Sequence, residues 1–153
     1  MRAWRLLRKE FLREAFSGEG ASLYGGRWNS KGTAVVYLGE HLSLAALEMF
    51  VRLTRRDSGI VFAAVPVEIP DSLPIETVSA GELPKEWREE PPPKTTQELG
   101  DRWAEEGRTA LLKVPSVIVP HEFNLVLNPL HPDFPKVNTG HPSEFSFDPR
   151  MWK

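Results

Sequence analysis

The sequence predicts an α+β domain of short strands with two main helices. Three observations carry that reading. Strand-like and helix-like segments follow one another in mixed rather than strictly alternating order, which argues against a doubly wound parallel sheet. All fourteen prolines lie at Pro66 or beyond, so uninterrupted helix and strand belong to the first part of the chain and short strands between stiff connections to the rest. At 153 residues the chain makes one compact domain, residues 1–153, large enough to bury about two-thirds of its unfolded surface.

Taken in order, Trp4–Arg8 reads as an edge strand and Lys9–Phe16 as a short helical turn. Ser17-Gly18-Glu19-Gly20 and Tyr24-Gly25-Gly26 carry loop signals. Val35-Val36-Tyr37-Leu38 is β-branched and aromatic, the pattern of a buried strand. Ser43 is placed to cap a helix from Leu44 to about Arg55. Ile60–Ile69 reads as a long strand stopped by Pro70, and Pro91-Pro92-Pro93 as a stiff extended connector near the surface. Thr95-Thr96-Gln97-Glu98 has the form of a capping box opening a helix that runs to Gly107. Leu99 and Trp103 share one face of that helix, and Glu98 and Arg102 can pair on another. Ala110–Val114, Phe123–Leu127 and Phe145–Phe147 complete about six or seven strands.

Composition narrows the function. Hydrophobic residues make up 41% and charged residues 26% of the chain, an ordinary globular mix. There is no cysteine, hence neither disulfide framework nor thiol nucleophile, and a reducing, cytoplasmic setting is expected. Nineteen basic against twenty-one acidic residues give a net charge of -2, which argues against direct nucleic-acid binding. No apolar run reaches membrane-spanning length. The basic start, Met1 to Lys9, lacks the apolar core of a signal peptide.

Several familiar chemistries fail on their motifs. Gly18-Glu19-Gly20 resembles a dinucleotide fingerprint, but Leu23 occupies the place of the third small residue. Gly20 and Gly25 have phosphate-loop spacing, but Gly26-Arg27 follows where Lys and a hydroxyl residue belong. His121, His131 and His141 fall ten residues apart, which is not local metal-ligand spacing, so no metal site is expected. No Gly-x-Ser-x-Gly elbow occurs.

Four features remain. Gly25-Gly26-Arg27-Trp28-Asn29 sets a guanidinium and an indole after two glycines, a pattern suited to close approach and bidentate anion binding, or to a surface loop with a paired arginine. Glu48 is the one charge in Leu44-Ala45-Ala46-Leu47-Glu48-Met49-Phe50-Val51. A carboxylate there lines a cavity or pairs with Arg52 four residues on. Ser116 ends a strand and Asn124 and Asn128 flank the next, as site residues or turn formers. Tyr37 sits mid-strand, by default a core residue with a satisfied hydroxyl.

Together these segments resemble the RES domain, a family named for an Arg, a Glu and a Ser that correspond here to Arg27, Glu48 and Ser116. The matching stretches are colinear over nearly the whole chain. They run from Phe16-Ser17-Gly18-Glu19-Gly20-Ala21 and Gly25-Gly26-Arg27-Trp28-Asn29 through Val35–Leu38 and Leu44–Glu48. Downstream come Thr96–Trp103, Val114-Pro115-Ser116, Asn128–Phe134 and Phe147-Asp148-Pro149-Arg150. One departure is Phe123-Asn124-Leu125, where family members often carry His-Asn-Tyr.

The resemblance implies a fold like that of diphtheria-toxin-type ADP-ribosyltransferases. It implies a toxin that consumes NAD+ as substrate, with no bound cofactor, and an Xre-type helix-turn-helix antitoxin as partner, with room for a toxin homodimer in the complex. The expected reaction is cleavage of the nicotinamide–ribose bond by water or phosphate. The alternatives are ADP-ribosyl transfer to a protein and a non-catalytic nucleotide- or antitoxin-binding module. Glu48, Arg27 and Tyr37 are the expected catalytic residues. Ser116, Trp28, Asn29 and Asn124 are the expected substrate-binding ones.

Overall fold

The computed structural model describes all residues, 1–153. Eight strands form one sheet: β1 (Arg2–Arg8), β2 (Val36–Gly39), β3 (Phe62–Glu68), β4 (Ile75–Thr77), β5 (Leu111–Pro115), β6 (Phe123–Leu127), β7 (Asn138–Thr139) and β8 (Ser143–Phe145). Their order is β4-β5-β6-β2-β1-β3-β7, with β8 also pairing β3. Only β4 and β5 run parallel; every other pair is antiparallel. Three α-helices, α1 (Glu19–Tyr24), α2 (Leu42–Phe50) and α3 (Lys94–Glu106), complete the α+β architecture.

Several expectations are corrected. β1 is an interior strand, not an edge: it pairs with β3 over its full length and with β2 at Trp4 and Gly39. Glu19, Gly20 and Tyr24, read as parts of loops, belong to α1, which has Gly18 at its N-cap in the left-handed region (φ 76°). α2 starts at Leu42 behind an extended His41 rather than at Ser43, since the Ala45 N–H already reaches the His41 carbonyl at 3.0 Å. It stops at Phe50 because Thr54 opens a new turn, in which the Asp57 carboxylate accepts the Thr54 N–H at 2.7 Å. The capping box at Thr95 does not form. Pro93 is the N-cap of α3, and the buried Thr96 hydroxyl donates to its carbonyl at 3.1 Å. α3 ends as expected at Gly107, whose φ of 63° is the left-handed stop that glycine accepts without strain.

Pro66 lies within β3, a strand paired on both sides. β8 takes Phe62–Ala64 and β7 takes Val67 and Glu68, so the proline falls in the gap between two partners and its missing N–H breaks no ladder bond.

Alternation along the strands divides the core. Leu111, Leu125 and Leu127 pack in one cluster with Val36 and Leu38. Leu112, Val114 and Val126 face the other way, against Trp28, Trp87 and Trp103. Tyr37, opposite Val126 in the ladder, packs on this tryptophan side, where the candidate site forms.

Candidate functional site

α2 approaches the sheet closely over Gly39. A side chain there would come within 2.9 Å of the Ala45 backbone N, so only glycine lets the helix settle this low. Gly39 is the ladder partner of Asn124, and Glu48 lies one turn beyond Ala45. The Glu48 carboxylate thus reaches the β5–β6 end of the sheet. Its Oε1 accepts from Asn124 Nδ2 at 2.6 Å and from Ser116 Oγ at 2.8 Å. Its Oε2 accepts no hydrogen bond from the protein. The alternative pairing with Arg52 is not the one adopted.

Ser116 is buried. Its Oγ donates to Glu48 and accepts from the N–H groups of Ile118 and Val119 at 3.1 and 3.0 Å. Its hydrogen-bonding capacity is spent on the protein. Ser116, expected to bind substrate, holds the Glu48 carboxylate from behind in this structure.

A second group of residues builds the opposite wall. The 25–30 loop closes on itself through Gly26 N–H to Asn29 O at 2.9 Å. α3 clamps it from outside. Gln97 Nε2 donates to the Gly26 carbonyl at 3.0 Å, Asp101 Oδ1 accepts the Ser30 N–H at 2.9 Å, and Asp101 Oδ2 bonds the Ser30 hydroxyl. Gly100 lies directly on the Trp28 backbone, with no room for a Cβ.

Beneath the loop, the Tyr37 hydroxyl donates to Asn29 Oδ1 at 2.6 Å and accepts from the Trp28 N–H at 3.1 Å. A Cβ on Gly26 would come within 2.7 Å of that hydroxyl, which explains the glycine. Burial is the main cause that raises the Tyr37 pKa far above the usual phenol range, so it stays protonated. Asn29 is wholly buried, and its amide nitrogen donates to the carbonyls of Ala21, Ser30 and Thr33. Asn29, expected to bind substrate, has its side-chain amide engaged inside the protein and meets the cavity wall through the Tyr37 hydroxyl.

Between these walls lies a cavity of about 750 Å³, a size typical of small-molecule sites. Arg27, Trp28, Tyr37, Glu48 and Asn124 all line it, so five of the seven expected residues converge on one space. Ser116 stands directly behind Glu48 and Asn29 behind Tyr37. Pro91 and Pro92, expected as a plain surface connector, form part of the cavity wall. Arg27 is not free: Nη1 donates to the carbonyls of Trp87 and Glu89, both at 2.8 Å, and Nη2 to Glu90 Oε2 at 2.8 Å. No cluster of three or more His, Asp or Glu is arranged to hold a metal.

Arg5, Arg88 and Arg52, the last read from the sequence only as a partner for Glu48, were not among the expected site residues. Arg52 and Arg88 line the cavity mouth, and the Arg88 guanidinium lies 5.0 Å from the centre of the Trp87 ring. Arg5, on β1, is partly buried among backbone carbonyls, donating to Ala15 O at 3.1 Å and Tyr37 O at 3.3 Å. Burial, aided by the nearby Arg52 charge, pushes its pKa down to about 10. Both contacts are to backbone carbonyls, no carboxylate pairs with it, and it lies behind Tyr37 rather than in the cavity lining. The signal was a lone arginine between Trp4 and Leu6; reading the strand as an edge left it in solvent.

Comparison with known proteins agrees with this picture. The RES domain model matches residues 2–148. "Toxin Res" of Yersinia enterocolitica is 39% identical over 152 residues, covering 99% of both chains. "Prs ADP-ribosylating toxin" of Sphingobium sp. is 40% identical, covering 97% of this chain and 94% of the relative. Among solved structures, the crystal structure of the M. tuberculosis MbcT-MbcA toxin-antitoxin complex superposes with a TM-score of 0.75 at 17% identity, covering 95% of this chain and 84% of the other. The fold is the ADP-ribosyltransferase-like one expected from the sequence, and the chain belongs to the RES domain family.

Proposed function

We propose that this protein is a toxin that consumes NAD+ by cleaving the bond between nicotinamide and ribose. The observation that carries the reading is the Glu48 carboxylate, with one oxygen gripped by Ser116 and Asn124 and the other left for a ligand in the cavity. Cleavage breaks the C1′–N1 bond and leaves both its electrons on the pyridinium nitrogen. Nicotinamide therefore departs neutral and needs no general acid. The ribose becomes oxocarbenium-like, as in glycoside cleavage, and one fixed anion stabilises it. Glu48 supplies that anion. Its held oxygen cannot swing away, while the free one faces the developing cation or a ribose hydroxyl. Tyr37, uncharged and fixed by Asn29, offers a ring face to the nicotinamide and keeps water out. Arg52 and Arg88, in the cavity lining, give it the positive field that a pyrophosphate requires.

The test is nicotinamide release from NAD+ by purified protein, with and without phosphate. Release abolished by Glu48→Ala in a folded variant is expected. No release above background in either buffer overturns the reading. Transfer of ADP-ribose to a protein side chain is the second reading, favoured by the name of the Sphingobium relative. Labelled NAD+ with a cell extract distinguishes it by label retained on protein. A binding module without turnover is the third, and in that case Glu48→Gln leaves function unchanged. An Xre-type antitoxin as inhibitor, a toxin homodimer within that complex and a cytoplasmic location belong to the same proposal. No helix is long and apolar enough to cross a membrane.

A further inference from the structure

Arg27 was expected to hold a pyrophosphate oxygen, yet every contact it makes is internal. Its partners differ in kind. The carbonyls of Trp87 and Glu89, on Nη1, belong to the backbone of the strap Pro84–Pro93 and hold the guanidinium against the cavity wall. The third partner is a side chain. The Glu90 carboxylate sits on Nη2 at 2.8 Å, with the Arg27 side chain 14% exposed and that of Glu90 76%.

We propose that Glu90 is an internal competitor that sets affinity and charge selectivity: its carboxylate occupies, on Arg27 Nη2, the position a phosphate oxygen of the substrate takes. The inference rests on the dinucleotide reading above. Carboxylate and phosphate present the same acceptor geometry to a guanidinium. The pair is exposed on the glutamate side, and such pairs are weak, so a multiply charged ligand displaces it readily. Displacement needs only rotation of the Glu90 side chain, because the strap remains fastened through Nη1. Arg88 on the strap and Arg52 across the mouth then face the same phosphates. A ligand without phosphate has no means of displacing Glu90. The site is thereby biased towards pyrophosphate-bearing nucleotides over their nucleosides.

The experiment compares wild-type protein with Glu90→Gln and Glu90→Ala by calorimetry with ADP-ribose at low salt, and by turnover of NAD+ and of nicotinamide riboside. We expect both variants to bind ADP-ribose about two- to fivefold more tightly, the range an exposed ion pair spans. KM for NAD+ should fall in parallel with kcat unchanged, and nicotinamide riboside, which has no phosphate, should show no change. Unchanged or weaker ADP-ribose binding in folded variants overturns the inference, as does absence of ADP-ribose binding to all three proteins. Tighter ADP-ribose binding without NAD+ turnover in any of them upholds Glu90 as competitor while sinking the cleavage reading.

Discussion

Replacing Ser116 by alanine tests whether the Glu48 carboxylate works through its held oxygen. The substitution removes one hydroxyl that bonds the carboxylate at 2.8 Å and accepts two backbone N–H groups. A hydrogen bond to a charged group contributes about 1.5–3 kcal/mol. Ile118 and Val119 are only half-buried, so water replaces the lost acceptor at modest cost. The fold should weaken by ~2–4 kcal/mol in chemical denaturation. Asn124 alone then holds Oε1, and the carboxylate gains freedom to rotate. If about 1.4 kcal/mol of the lost bond acts in the transition state, kcat/KM for nicotinamide release falls about tenfold. The decisive measurement is a double-mutant cycle with Glu48→Gln. Ser116→Ala should have almost no effect on activity in the Glu48→Gln background, since the group it positions is no longer an anion. An equal fractional loss in both backgrounds refutes the positioning role. So does a stability loss with kcat/KM unchanged, which would reduce Ser116 to a turn former.

Three more outcomes follow from the geometry. Gly100→Ala drives a methyl into the Trp28 backbone and should destabilise the protein by about 3 kcal/mol or leave it insoluble, read as melting temperature and soluble yield. Tyr37→Phe strands the Trp28 N–H and Asn29 Oδ1 and should cost about 1–3 kcal/mol in denaturant titration while raising KM for NAD+. Arg5→Gln removes a buried, unbalanced charge and should stabilise the protein by about 0.5–2 kcal/mol in denaturant titration. Because burial depresses the Arg5 pKa to about 10, the charged form is the one that is disfavoured in the fold. Its penalty is constant at neutral pH and is relieved only as pH rises above about 10. The gap between variant and wild type should therefore be flat from pH 6 to 9 and narrow at higher pH.

Much of the site was legible because its residues break local rules. Glu48 stands alone in an apolar helix, and Gly25-Gly26-Arg27 has more conformational freedom than an ordinary loop needs. The strands were legible too: the short candidate at Phe123–Leu127 and the β-branched, aromatic run Val35–Leu38 survive as β6 and β2. What was missed depends on partners distant in the chain. Nothing within Trp4–Arg8 reveals that β2 and β3 enclose it, and Arg5 was missed for that reason. Asn29 and Ser116 were expected at the substrate through the family resemblance, and nothing local shows which neighbouring groups an amide or a hydroxyl bonds. The lost capping box has a local cause, since Pro93 took the N-cap one turn ahead of the best-looking hydroxyl pair. The N-terminal, proline-free part holds Arg27, Tyr37 and Glu48 as expected, but the proline-rich part supplies more than scaffold, since Pro91, Pro92 and Asn124 also line the cavity.

The bonds that grip Glu48 and clamp the facing loop to α3 are long-range in sequence. Ser116 reaches back 68 residues to Glu48, Asn124 reaches back 76, and Asp101 holds Ser30 across 71. During synthesis, Glu48 leaves the ribosome long before either of its partners. A nascent chain therefore carries the carboxylate without the grip that orients it, and without α3 to clamp the facing loop. Activity should begin only after Ser116 and Asn124 have both emerged, and a fragment ending anywhere before Ser116 should be inert. For a protein whose proposed action harms the cell that makes it, this delays the hazard until both partners of Glu48 have been made.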